Sequence, residues 1–164
     1  MKPHFAEMLF AWGRRLAACG ARGCLAYRFA LGYVATARGA DLAKLSRKDL
    51  VFLAPEQPGS EVWTAKGEGK APDAWWVLAV AFEDRGSAVF CFLVEGEGWA
   101  AAAVRAGRPA VEGAGGLPEA STIAALEAAL GQGNLVSLRG IGALALGSTA
   151  DDAGLALTEI GKPS

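Results

Sequence analysis

Val136-Ser137-Leu138-Arg139-Gly140-Ile141-Gly142-Ala143-Leu144-Ala145-Leu146-Gly147-Ser148-Thr149-Ala150-Asp151-Asp152-Ala153 joins two apolar runs through a glycine turn and ends on a helix-opening pattern. Residues 135–138 and 141–146 are short apolar runs, read as two strands. Ser148-Thr149-Ala150-Asp151 then has the spacing of a capping box, with Asp in place of Glu, and Asp151 and Asp152 suit the positive end of a helix dipole. Gly161 and Pro163 stop that helix. Two strands running into a helix place the end of the chain in a layered α/β domain.

Working outward, Phe5, Met8, Leu9, Trp12 and Leu16 form one stripe at helical spacing, and Gly20 can end that helix. Residues 24–30 and 33–37 are apolar runs separated by Leu31-Gly32, which predicts a tight hairpin. Residues 41–49 read as a one-turn helical connector into a strand at 50–53. Pro55 and Pro58-Gly59 mark a turn before Glu61-Val62-Trp63-Thr64-Ala65. Residues 74–82 lack a clean period, but Pro72 at a first-turn position favours a buried helix over a strand. Residues 87–94 read as a core strand, 99–106 as a helix and 113–116 as a loop. Pro118-Glu119-Ala120-Ser121 opens a helix carrying Ile123, Leu126 and Leu130, ended by Gly131. Helices interleaved with short strands predict one domain over residues 1–164 with a mixed sheet.

Composition removes whole classes of function. The 164 residues carry a formal charge of −1, so nucleic acid and anionic membranes have no electrostatic claim on the chain. Apolar residues make up 52% and charged ones 20%, enough for a sizeable core. No apolar run approaches the roughly 20 residues of a spanning helix. The opening residues break any apolar leader with Glu7, so the cytoplasm is the expected compartment. Cys19, Cys24 and Cys91 cannot form a disulfide framework, and His4 is the single histidine. A Ser/His/Asp or Cys/His arrangement therefore cannot be built within the chain. The glycine clusters lack phosphate-loop or dinucleotide spacing, and no cysteine set has zinc spacing. The five tryptophans, Trp75-Trp76 among them, read as core and interface anchors.

Four further segments carry a family resemblance. The opening helix ends at Leu16-Ala17-Ala18-Cys19-Gly20. Gly23-Cys24-Leu25-Ala26-Tyr27-Arg28 stands where the family has Gly-Asn-x-Ser-x-Arg. Tyr33-Val34-Ala35-Thr36-Ala37-Arg38-Gly39, followed by Leu42-Ala43-Lys44-Leu45-Ser46-Arg47-Lys48-Asp49-Leu50-Val51, resembles its I-x-T-P-S-G and L-x-x-L-x-x-x-D-L-V run. The stretch from Val136 to Ala153 resembles its L-x-x-H-G and G-x-[ST]-x-x-[ED]-A ending. In this order, over about residues 9–160, the segments resemble the class II aldolase/adducin family, with a shortened middle. The resemblance implies a three-layer α/β/α domain with a mixed, mostly antiparallel central sheet, assembled as a homo-oligomer. Active members are zinc-dependent sugar-phosphate aldolases or epimerases.

The departures from the family pattern point away from that chemistry. Its zinc is held by a His-x-His on a central strand and a third His before the late Gly, here read as Phe90-Cys91-Phe92 and Arg139-Gly140. A phenyl ring has no lone pair for a metal and a guanidinium is a fixed cation. The family's Pro-Ser-Ser-Glu falls near Ala71-Pro72-Asp73-Ala74-Trp75, where Asp73 alone offers a carboxylate. In the phosphate cradle Asn and Ser become Cys24 and Ala26, and Pro-Ser becomes Ala37-Arg38. The implied reading is a pseudoenzyme without metal or cofactor, kept as a binding or assembly module. Its candidate contacts to a small anionic ligand are Arg38, Gly39, Arg139 and Gly140. The alternative is a metal-independent, lyase-like enzyme in the same cleft, with Asp73 or Cys91 as reactive group; it requires Arg139, Cys91 and Asp73 to converge on one pocket.

Overall fold

The computed structural model of the chain describes residues 3–60 and 62–161. Helix α1 (Pro3–Ala18) leads into the hairpin β1 (Arg22–Phe29) and β2 (Gly32–Thr36). Two single-turn 3₁₀ helices, Leu42–Lys44 and Arg47–Asp49, precede β3 (Leu50–Pro55) and β4 (Trp63–Lys66). Then follow α2 (Trp75–Asp84), β5 (Phe90–Glu95), α3 (Glu97–Arg105), β6 (Ala110–Val111), α4 (Ala120–Leu130), β7 (Leu135–Leu138), β8 (Gly142–Gly147) and α5 (Ala150–Ile160). The strands form one eight-stranded sheet in the order β4-β3-β2-β1-β5-β8-β7-β6. Every neighbouring pair is antiparallel except β6 with β7.

The expected three layers are present. On one face, Leu9, Trp12 and Leu16 of α1, Ala103 of α3 and Leu157 of α5 pack with Leu25, Phe90, Phe92 and Val94 of the sheet. On the other, α2 and α4 bring Trp76, Leu78, Phe82, Leu126 and Leu130 onto Cys24, Cys91, Leu93 and Leu144. No helix among the described residues is long and apolar enough to cross a membrane.

Local chemistry explains the elements. Residues 74–82 form a helix rather than a strand because they are apolar nearly all round and lie sandwiched against the sheet, where α2 satisfies its own backbone. Pro72 lies ahead of that helix instead of in its first turn; Ala74 is the N-cap, and the Pro72 carbonyl accepts the Trp75 N–H at 3.1 Å. Two carbonyls at the end of α2 go to Arg28, whose guanidinium reaches Phe82 O at 2.6 Å and Arg85 O at 3.0 Å, and it also donates to Ala88 O in the following loop at 2.9 Å. Arg85 does the same after α4, donating to Leu130 O and Asn134 Oδ1. The cap of α5 is Thr149, which accepts the Asp152 N–H at 3.1 Å, one residue later than the spacing of Ser148 and Asp151 predicts. The two-residue β6 has no sequence signal; it is held by Ser137 N–H to Pro109 O and Arg139 N–H to Val111 O.

The α1/α5 contact is close. Trp12 donates Nε1–H to Asp151 Oδ1 at 2.9 Å, and its ring lies on Gly154, where an added Cβ would come within 2.3 Å of ring carbon. Gly154→Ala should therefore destabilise the fold by about 1–2 kcal/mol, overpacking outweighing the gain in helix propensity. Urea unfolding checks it: a helix without this contact would instead gain up to about 1 kcal/mol from the same change.

Candidate ligand cleft

A cleft of about 650 Å³ opens where β1 begins and β2 and β5 end, on the face covered by α2 and α4. Its lining includes Arg22, Cys24, Arg38, Asp73, Leu93 and Glu95, with Gly140 and Ile141 from the β7/β8 turn. The opening arises because β1 and β2 stop pairing at Ala26 and Ala35. Beyond that point the Leu25 N–H is taken by Thr36 Oγ1 at 3.1 Å instead of by a ladder carbonyl. The segment just before α2 contributes Pro72, Asp73 and Ala74 to the same cleft. That segment is tied down by Arg38 N–H to Lys70 O at 2.9 Å, which brings Asp73 Oδ1 within 3.0 Å of Arg38 Nη2. The pair is open to solvent, with side-chain exposures of 53% and 84%, so it is screened and contributes little stability.

Of the residues singled out from the sequence, Arg38, Gly39, Asp73 and Gly140 line the cleft. Gly39 (φ 76°) and Gly140 (φ 85°) hold left-handed turn conformations with open space where a Cβ would lie. Arg139 is not part of the lining; Nη1 lies 3.6 Å from Glu112 Oε1. Cys91 is completely buried between β1 and β8. Arg139, Cys91 and Asp73 therefore do not converge. Two cleft residues, Arg22 and Glu95, lay outside the candidate contacts. A signal for both existed in the alternation of β1 and β5, since each continues the cleft-facing register of Cys24 and Leu93 by one step of two.

That alternation also corrects the reading of the central strand. Phe90 and Phe92 face the opposite core, beside Phe5 and Trp12, and the i, i+2 pair at the cleft is Leu93 and Glu95. A zinc centre needs several nitrogen, sulfur or carboxylate donors converging on one point. Here Leu93 and Ile141 have no lone pair, and of the possible donors in the lining, Cys24, Asp41, Asp73 and Glu95, Asp73 lies on Arg38 and Asp41 accepts the Ala43 N–H. Among the described residues no three or more His, Cys, Asp or Glu groups could hold a metal ion together. His4 precedes Phe5, which packs on Tyr27 and Phe90 at the far ends of β1 and β5 from Arg22 and Glu95. Among the described residues, the cleft therefore gathers no such donor set for the zinc that the resemblance implies.

No family model matches the sequence, and no curated protein matches it. Solved structures do. L-fuculose-1-phosphate aldolase from Thermus thermophilus superposes with a TM-score of 0.73 at 21% identity, over 98% of this chain and 91% of that one. A sugar-phosphate aldolase from Thermotoga maritima gives 0.70 at 11% identity, over 96% and 92%. An aldolase II superfamily protein from Pseudomonas syringae gives 0.68 at 18%, over 95% and 72%. At these identities the likeness shows the fold, which is that of the class II aldolases.

Two thiols, Cys24 in the cleft lining and Cys91 deeper in the sheet, are buried. Burial pushes Cys24 up to about 12 from its ordinary 9.0, and its Sγ–H donates to Thr36 O at 3.5 Å. Burial likewise raises Cys91. A thiol whose folded pKa lies above its unfolded value favours the folded state most below the unfolded value and loses that contribution as pH rises toward the folded one. The urea midpoint should thus fall as pH is raised from about 9 toward 12. A thiol reagent near neutral pH should modify the exposed Cys19 in the folded chain, with Cys24 and Cys91 reacting only after unfolding.

Proposed function

We propose that this chain uses the class II aldolase fold as a scaffold for binding a small anion, and that it has left zinc-dependent aldol chemistry behind. The observation that carries the reading is the arrangement of donors in the cleft: its carboxylates, Asp41, Asp73 and Glu95, line it without three or more His, Cys, Asp or Glu groups of the described residues gathering on one point, as a metal would need. Aldol and epimerase chemistry of that kind depends on a Lewis acid to stabilise the developing enolate oxygen. The cleft offers no equivalent concentration of positive charge. It offers two separate guanidiniums, Arg22 and Arg38, which suit a carboxylate or phosphate by planar, bidentate hydrogen bonding.

Asp73 supports the reading in a specific way. Its carboxylate already occupies Arg38, so an incoming anion competes with an internal one. An exposed internal pair of this kind is weak enough to be displaced.

The purified native protein should carry no stoichiometric zinc by elemental analysis, and chelator should leave its unfolding temperature unchanged. Titration with inorganic phosphate and with small monocarboxylates should show salt-sensitive binding. Arg38→Ala should weaken that binding by roughly tenfold, as expected for loss of a charged hydrogen bond. Asp73→Asn should strengthen it severalfold. One zinc per chain, or cleavage of a sugar phosphate that chelator abolishes, would overturn the proposal.

A further inference from the structure

Arg22 and Glu95 stand directly opposite each other on β1 and β5, and both line the cleft. Opposite charges in that relation ordinarily close into a cross-strand pair. These two do not: among the described residues neither side chain makes a salt bridge or a hydrogen bond. The remaining charged side chains of the cleft are committed, Asp73 to Arg38 and Asp41 to the Ala43 N–H at 2.9 Å. Next to the open pair lies an apolar floor, made by Cys24, Leu93 and Ile141.

From this juxtaposition we propose that Arg22 and Glu95 form a subsite for a zwitterionic head group, that of an aliphatic α-amino acid. Its carboxylate would sit on Arg22 and its ammonium on Glu95, with the side chain on the apolar floor. The two charges of such a head group are a few bonds apart, which suits two side chains on adjacent strands. A ligand with two anionic ends would set one of them against the Glu95 carboxylate, and a plain cation would face Arg22. The proposal rests on the anion-binding reading above and adds that the ligand also carries a positive charge beside the anionic one.

Calorimetric titration of the whole folded chain with L-leucine, 4-methylpentanoate and isopentylamine separates the contributions. L-Leucine should bind about fivefold tighter than 4-methylpentanoate, the upper end for one exposed ion pair, and tighter than isopentylamine by a similar factor. Glu95→Gln should bring L-leucine to the level of 4-methylpentanoate without weakening the latter, and Arg22→Gln should weaken both carboxylates. Both residues are exposed, so circular dichroism should show the variants folded. Equal affinity for L-leucine and 4-methylpentanoate, or a ratio unmoved by Glu95→Gln, would overturn the zwitterion subsite alone. If inorganic phosphate and 4-methylpentanoate also fail to bind, the anion-binding reading falls with it.

Discussion

The alternation of β5 between two buried faces governs the rest of the molecule. With β1 on one side and β8 on the other, the strand sends Phe90, Phe92 and Val94 into one core and Cys91 and Leu93 into the second. A slip of one residue would exchange every side chain between the two cores. The register is further held by close backbone approach on both flanks: a Cβ at Gly23 would lie 1.9 Å from Leu93 O, and one at Gly142 would lie 1.8 Å from Val94 O. Where β5 runs past its helical cover, the next residue on the α2/α4 side is Glu95, and there the buried strand becomes the wall of a cleft.

Much of the fold was legible because its signals are local. Periodicity marked α1, a two-residue break marked the β1/β2 hairpin, and glycine and acidic residues bounded α4 and α5. The order of motifs then led to the three-layer architecture. What escaped lacks a local cause. β6 is two residues long and exists because β7 offers it a partner, and Pro72 is drawn into the cleft lining instead of into a helix. At the site, Arg38, Gly39, Asp73 and Gly140 were readable from motif order, whereas the pairing of Arg139 with Glu112 depends on a loop whose path no pattern encodes. The shift from Phe90 and Phe92 to Leu93 and Glu95 is the instructive miss. Both pairs have the same spacing on the same strand, and which one reaches the cleft is decided by where the helices stop covering it.

A shared fold does not by itself carry a shared chemistry. The fold is shared with aldolase structures at 11–21% identity. The side chains lining the cleft include leucine and isoleucine, one glutamate, two aspartates and two arginines. Charges at such a mouth act mainly through hydrogen-bond geometry and net complementarity, since solvent screens them. Stabilisation of an enolate needs donors fixed in a dry, low-dielectric pocket instead.

The two outer strands bear on how the chain behaves in crowded solution. A sheet edge presents unpaired N–H and C=O groups on which a foreign strand can template itself. Here one edge is β6, only two residues long, and the other is β4, four residues ending in Lys66. An intruding strand would find few backbone partners on either side, and a charge at the close of the longer one. A protein with half its residues apolar thereby limits uncontrolled strand addition, the route by which such a composition would otherwise lead to aggregation.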